Sequence, residues 1–282
     1  MKALITGAAG QLAQAFAERL RHDGIPYCAP PETELDITDP DAVAQCLDRE
    51  RPDTILNCAA CNAVDAIERD DRVAQAVNHA AVATLATAAA ARGILLVHYS
   101  TDYVFDGTAG RCYTEADAPA PLNAYGRSKW QGEQAALQAG CELLLLRTSW
   151  VYGDGTQNFF HKLLQWADQR DTLEVVNDEI SVPTSTDAIV TLTRAAIDAR
   201  LRGLYHLVNS GYASRYETAR LFFDLLQRDT SIRPVPSSRF PSPIKRPAFS
   251  ALSNHRLATA LGHPIPTWQD ALARFVAERP NT

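Results

Sequence analysis

Tyr125 and Lys129 stand four residues apart in the stretch LNAYGRSKW, residues 122–130. On a helix that spacing puts both side chains on one face. A phenol titrating near about 10 is a poor proton shuttle at neutral pH, and a nearby ammonium favours the phenolate. The pair can thus hand a proton to a developing alkoxide. Taken alone, Tyr-x-x-x-Lys is more often a solvated helix pair. Its neighbourhood argues for chemistry. HYSTDYVFDG, residues 98–107, ends an apolar run with Ser100, Thr101 and Asp102. A hydroxyl at such a strand end can donate to a carbonyl oxygen as hydride arrives and stabilise the charge that develops. A third feature opens the chain, where ITGAAGQLA places Gly7 and Gly10 between a strand and a helix, with Ala13 where a small residue is wanted. Free backbone N–H groups and a helix dipole there suit a pyrophosphate.

These groups need a scaffold, and the apolar pattern supplies one. KALIT (2–6), TILNCAA (54–60), GILLVHYS (93–100) and CELLLLRTS (141–149) read as strands buried on both faces. Between them, 11–22, 40–50, 66–91 and 123–139 read as helices, and DITDPDAV from 36 has the form of a capped start with an early proline. This predicts an α/β fold, a Rossmann-type doubly wound parallel sheet with ligands beyond the carboxyl ends of its strands. After about residue 150 the pattern loosens. TLEVVNDEISVPTSTDAIV reads as a strand, a loop with proline and a helix, and GLYHLVNSG as another short strand. Residues 229–250 carry five prolines, too many for long regular structure, and read as an ordered binding loop. The expected division is a dinucleotide-binding domain over 1–150, with a return near 183–203, and a smaller, discontinuous α/β substrate-binding lobe mainly over 151–282.

Composition narrows the function. A net charge of −6 with no basic run argues against a nucleic-acid partner. MKALITGAAG enters a strand directly, and nowhere do 18 consecutive apolar residues occur, so a cytoplasmic protein with no membrane partner is expected. Cysteines at 28, 46, 58, 61, 112 and 141 are too sparse for a disulfide framework. Cys58 and Cys61 have metal-ligand spacing, but no second pair or matching histidines follow, and they read as small core residues with no metal site. His98 and His206 lie in apolar strand patterns and read as satisfied core histidines. Glu32 lies roughly 20 residues beyond the glycine turn, where a carboxylate favours the free ribose hydroxyl of NAD. No arginine after the second strand offers a phosphate clamp, yet APPETELDITD does not fix where that strand ends, so NADPH and NADH both stay open.

Glycine turn, strand-end Ser/Thr and Tyr-x-x-x-Lys, in that order, resemble the extended short-chain dehydrogenase/reductases. A narrower resemblance, to the dTDP-4-dehydrorhamnose reductases, spans nearly the whole chain through GAAGQLA, LDITD, PDTILNCAACNAVDAIERD, HYSTDYVFDG, YTEADAPAPLNAYGRSKWQGE, LLRTSWVYG, GLYHLVNSG and IKRPAFSAL. It implies NAD(P)H-dependent reduction of the C4 keto group of a dTDP-sugar, dTDP-4-dehydro-β-L-rhamnose, to dTDP-β-L-rhamnose. By this resemblance Tyr125 is the proton donor, Lys129 tunes it and grips the nicotinamide ribose, and Thr101 orients the keto oxygen. Gly10, Gln11 and Leu12 would meet the cofactor pyrophosphate, Asp36 and Ile37 the adenine, and Ala59 and Ala60 the nucleotide. Thr101, Asp102, Tyr103 and Trp150 would meet the sugar nucleotide, Trp150 with a flat face against the deoxysugar. Lys245 and Arg246 of IKRP can hold the substrate diphosphate.

The chain departs from the family pattern at Cys61 and Asn62, and at Ser181 and Val182 in NDEISVPT, where glycine and serine are expected. Both stretches are expected near the substrate, with Asn62 contacting it, so the keto-sugar epimer stays open. One rival reading is a reductase of another nucleotide-linked 4-keto sugar. Another is a non-catalytic regulatory subunit like the methionine adenosyltransferase β-subunit, which resembles the same family. The resemblance also admits a homodimer. Some relatives hold magnesium at such an interface, but of the carboxylates on the first helix only Glu18 is present.

Overall fold

The structure, a computed structural model, describes residues 1–155 and 158–278. The first half runs β1 (Ala3–Thr6), α1 (Gln11–His22), β2 (Tyr27–Cys28), α2 (Pro40–Glu50), β3 (Thr54–Asn57), α3 (Val64–Ile67), α4 (Arg72–Ala74), a π-helix (Gln75–Ala80), α5 (Ala81–Arg92), β4 (Leu95–Thr101), α6 (Ala124–Gln138) and β5 (Leu143–Thr148). Next come β6 (Val151–Tyr152), α7 (Phe159–Ala167), β7 (Thr172–Val176), β8 (Ile180–Ser181), β9 (Thr184–Ser185) and α8 (Thr186–Asp198). The chain closes with β10 (Gly203–His206), β11 (Ala213–Ser214), α9 (Arg215–Leu225), β12 (Ser231–Val235), α10 (His255–Leu261) and α11 (Trp268–Ala277).

Six strands form one parallel sheet in the order β10–β5–β4–β3–β1–β2. Its strands alternate between two buried faces, as the continuous apolar runs require. Ala3, Ile5, Val97, Leu144 and Leu146 meet Phe16 and Leu20 of α1 and Ile189 and Leu192 of α8. On the opposite face Leu4, Ile55, Leu96 and Leu145 meet Val43 and Leu47 of α2 and Val82 and Leu85 of α5. The expected doubly wound α/β fold is therefore present. β1 pairs with β2 on one side and β3 on the other, so the chain switches direction there and leaves a crevice beyond the strand ends. A separate apolar cluster joins α7, β7, α9 and α11 through Phe160, Leu173, Phe222, Phe223 and Leu272. Among the described residues no helix is long and apolar enough to cross a membrane.

Two expectations need correction. The helix read over 66–91 is interrupted, and its middle turn is a π-helix. Asn78 explains the distortion: its Oδ1 accepts from the Cys61 N–H at 2.9 Å, and its Nδ2 donates to the Cys61 carbonyl at 2.8 Å and to Ser128 Oγ at 3.1 Å. A side chain that satisfies a neighbouring loop has to leave the regular helical face, and a widened turn permits that. The proline-rich segment contains β12, paired in parallel with β7 in a two-stranded sheet. Pro234 is tolerated there because a two-stranded sheet consists of edge strands.

α6 is fixed to the sheet by a buried ion pair. Arg147 on β5 donates from Nε to Glu133 Oε1 at 2.9 Å and from Nη2 to Oε2 at 2.6 Å, with 3% and 0% of the two side chains exposed. Removing one partner of such a pair strands the other charge. Glu133→Ala should therefore cost about 3–5 kcal/mol, read as a fall in denaturant midpoint at unchanged slope.

Candidate active site

At the end of β1 the backbone of Gly7 is left-handed, with φ +68°, and a Cβ there would lie 2.7 Å from the Ala59 Cα. Only glycine fits this turn, which therefore lies directly on the chain leaving β3. Gly10 N–H donates to the Gly7 carbonyl at 2.8 Å, and Gly10 caps α1 without any side-chain bond to the helix N–H groups. Gln11 donates from Nε2 to the Val151 carbonyl at 3.3 Å, while its buried Oε1 has no partner. An uncapped helix start with free backbone N–H groups, behind a tight glycine turn, fits a dinucleotide pyrophosphate. Leu12 packs on the sheet core. Asp36 is exposed, its carboxylate held below the usual range by the hydroxyl and N–H of Thr38, and Ile37 is buried in the core beside it. Ala59 N–H donates to Thr6 Oγ1 at 3.3 Å, and Ala60 is exposed. Glu32 lies exposed on the loop after β2.

The catalytic candidates converge where β4 ends. A Cβ on Gly126 would lie 2.2 Å from the Tyr103 carbonyl oxygen, so its absence lets α6 press against the turn after β4. Asn123 starts that helix. Its Oδ1 accepts from the Gly126 N–H at 2.9 Å, and its Nδ2 donates to the Lys245 carbonyl at 3.0 Å. Tyr125 and Lys129 thus share a helix, Tyr125 packs edge-on to Tyr103 at 5.9 Å, and Lys129 Nζ donates to the Tyr99 carbonyl at 2.6 Å.

Electrostatics here differ from the sequence expectation. Burial pushes the Tyr125 phenol above its ordinary value, opposed by the neighbouring Thr101 hydroxyl. The same burial lowers the Lys129 ammonium to about 8, with Glu133 pulling the other way. An ammonium lowers a phenol only where its field exceeds desolvation, and in this pocket desolvation wins. Tyr125 consequently keeps its proton at neutral pH. His98, buried behind Lys129, is held neutral by burial and by that ammonium. Its Nδ1 meets Asn57 Nδ2 at 3.0 Å while Nε2 has no partner, so it is only half satisfied. His206 is likewise lowered by burial, to about 3, with Nδ1 3.2 Å from the Tyr113 carbonyl.

Asp102 sits beneath this group and is 2% exposed. Ser250 Oγ and Ser181 Oγ donate to its Oδ2 at 2.5 and 2.8 Å, and Thr101 Oγ1 donates to its Oδ1 at 3.2 Å. Burial raises this carboxyl and the three hydroxyls oppose the rise. Ser181 and Val182 are fully buried, Ser181 on Asp102 and Val182 in a core with Phe105 and Leu252. These two departures therefore act below the site rather than on a sugar. Asn62 is exposed and bonds only locally, its carbonyl accepting from the Val64 N–H.

Beside Tyr103 opens a cavity of about 590 Å³, lined by Trp150, Phe159, Trp166, Glu179, Arg215 and Arg246 among others. Trp150 has φ +41°, a strained conformation for a bulky residue. One face of its ring is covered by the Arg215 guanidinium, 3.5 Å from the centroid, so only the other can meet a ligand. Arg246 is tied to Asp65 at 3.2 Å; Lys245 is exposed and outside the lining. Sequence reasoning missed Arg215 and Glu179. Arg215 lies inside the capping box of Ser214 and Glu217, a signal that marks a helix start but not what the helix faces. Among the described residues no His/Cys/Asp/Glu group could hold a metal ion, and Cys61 packs beside Tyr125.

Lys129 carries a pH test. Its folded value of about 8 lies below the unfolded 10.5, so between those values the unfolded chain binds the extra proton and stability rises with pH. Below about 8 both states are charged and the burial penalty is fully present. In the cofactor-free protein, Lys129→Met should gain stability relative to wild type at pH 7, and that gain should shrink as pH approaches 10; parallel denaturant midpoints check it.

The RmlD substrate binding domain model matches residues 1–280. A dTDP-4-dehydrorhamnose reductase of Sinorhizobium fredii is 37% identical over 98% of this chain and 97% of its own. A dTDP-4-keto-6-deoxy-D-glucose reductase of Streptomyces niveus is 39% identical over 96% of this chain and 95% of its own. The crystal structure of the Bacillus anthracis dTDP-4-dehydrorhamnose reductase in complex with NADP superposes with a TM-score of 0.94 at 33% identity, covering 99% of this chain and 100% of that one. With a glycine turn, a strand-end threonine and a Tyr–Lys helix in one crevice, and a family match over nearly its whole length, the chain belongs to the RmlD substrate-binding-domain family of short-chain-type reductases.

Proposed function

We infer that this protein is the NAD(P)H-dependent reductase of dTDP-4-dehydro-β-L-rhamnose, forming dTDP-β-L-rhamnose in the cytoplasm. One observation carries the reading: a protonated Tyr125 faces the Thr101 hydroxyl on a helix that also carries Lys129, beside a cavity lined by aromatic and cationic side chains. The six free cysteines suit a reducing compartment. A purely regulatory chain has no need of that proton donor.

The cofactor would lie over Gly7, Gly10 and the start of α1, with Lys129 at its nicotinamide ribose. When bound, its nicotinamide supplies the hydride for C4 of the sugar. Tyr125 gives its phenolic proton to the C4 oxygen, and the carbonyl becomes an alcohol. Burial keeps that proton in place until charge develops on the oxygen. The nearby Lys129 ammonium then favours the phenolate left behind. Thr101 contributes a donor whose position is set by the Tyr103 N–H, which donates to Thr101 Oγ1 at 3.2 Å. As that hydroxyl turns from Asp102 to the keto oxygen, Ser181 and Ser250 continue to hold the carboxylate.

The direct test follows nicotinamide absorbance on adding dTDP-4-dehydrorhamnose to enzyme with NADPH, then NADH. Loss of absorbance with dTDP-rhamnose as product is expected; no turnover with either cofactor would sink the reading. Tyr125→Phe should lower turnover by about 10²–10⁴ while cofactor binding persists. Thr101→Val should lower it by about 10²–10³.

A further inference from the structure

Among the described residues, Arg215 is a cation with a fixed place and no anion to hold. Its guanidinium stacks on Trp150 at 3.5 Å and lies 5.0 Å from the Phe159 ring. No hydrogen bond or ion pair engages it among the described residues. It is half-buried, and burial lowers its pKa, with Tyr103, Glu179 and Asp102 opposing from beyond ion-pair distance. The cavity's other cations are less free or less fixed. Arg246 is tied to Asp65, while Lys162 and Arg170 are exposed. A guanidinium stacked on an indole keeps its N–H donors in a plane parallel to the ring, where they can meet phosphate oxygens side by side.

We propose that Arg215, held flat by Trp150, is the principal contact for the diphosphate of the nucleotide substrate, and that Glu179 moderates that attraction. The assignment rests on the function proposed above and replaces Arg246 in this role. The placement suits the chemistry. The diphosphate leaves C1, across the sugar ring from the C4 that Tyr125 serves, and Tyr103 links the two positions by facing Tyr125 and lining the cavity with Arg215. The strained backbone of Trp150 has a use here, since it presents the indole on which the guanidinium lies. Binding would exchange solvent around Arg215 for two charge-assisted hydrogen bonds, at a site whose geometry is set beforehand. Glu179 lies too far for an ion pair but within its field, and it repels the same anion.

The test is calorimetric binding of dTDP, dTMP, thymidine and UDP to wild type, Arg215→Met, Arg215→Lys, Arg246→Met and Glu179→Gln, with NADPH affinity as the control for folding. Wild type should prefer dTDP to dTMP. Arg215→Met should lose about tenfold to a hundredfold in dTDP affinity with little change for thymidine. Arg215→Lys should recover part of that loss, Arg246→Met should lose less than Arg215→Met, and Glu179→Gln should bind dTDP more tightly than wild type. An Arg215→Met protein that keeps the wild-type preference for dTDP over dTMP would overturn the assignment. So would one that weakens all four ligands equally at normal NADPH affinity, because that marks Arg215 as a prop for Trp150. The same pattern with UDP favoured over dTDP would support Arg215 and remove the thymidine part of the proposed function.

Discussion

Everything at the site depends on how closely α6 approaches the turn after β4. At Gly126 the helix meets the Tyr103 carbonyl with no room for a side chain, and this contact sets the distance between Tyr125 and the strand-end hydroxyl. The remaining features keep the helix there. Asn123 caps it and ties it to the proline-rich segment, the Arg147–Glu133 pair fastens its middle to β5, and Lys129 reaches the carbonyl of Tyr99. Each of these bonds is buried or part-buried, where an unmade partner is costly. The helix is thus held at several points along its length.

Burial that fixes the geometry also sets the electrostatics. The Tyr125 phenol is raised and the Lys129 ammonium lowered by the same low-dielectric surroundings, so neither shift originates in the other residue. In the reductive direction this is useful, because the donor must begin protonated. The tuning effect of lysine then belongs to the moment at which negative charge appears on the phenol, rather than to the resting site.

Asp102 adds a link between the sheet and the segments that surround the cavity. Its carboxylate gathers hydroxyls from Ser181 on β8 and Ser250 in the segment after β12, and these run beside each other through a bridge between Ile180 and Phe249. A change at Ser181 would therefore be felt through Thr101. Sugar selectivity is better sought among the side chains that face the cavity, Glu179 and Arg215 included.

The chain's own pattern determined the parallel sheet, the glycine turn, the strand-end hydroxyls and the Tyr–Lys helix. All of these follow from local rules: continuous apolar runs for strands buried on both faces, a glycine where φ is positive, and four-residue spacing for one helical face. Even the start of α2 at Asp39 and Pro40 was legible, because capping is local chemistry. Tertiary structure alone decided the rest. The π-helix arises from Asn78 bonding to a loop 17 residues away, and the pKa directions of Tyr125 and Lys129 come from desolvation, which is a property of the assembled pocket. Val182 is core and Ser181 supports Asp102, although both sit in a segment that reads as substrate-facing. Arg215 is 65 residues from the tryptophan it covers, a pairing with no period, spacing or motif to announce it. Local rules reach only a few residues along the chain; which charges lose water, and which aromatic ring a cation settles on, is decided when distant segments close around one cavity.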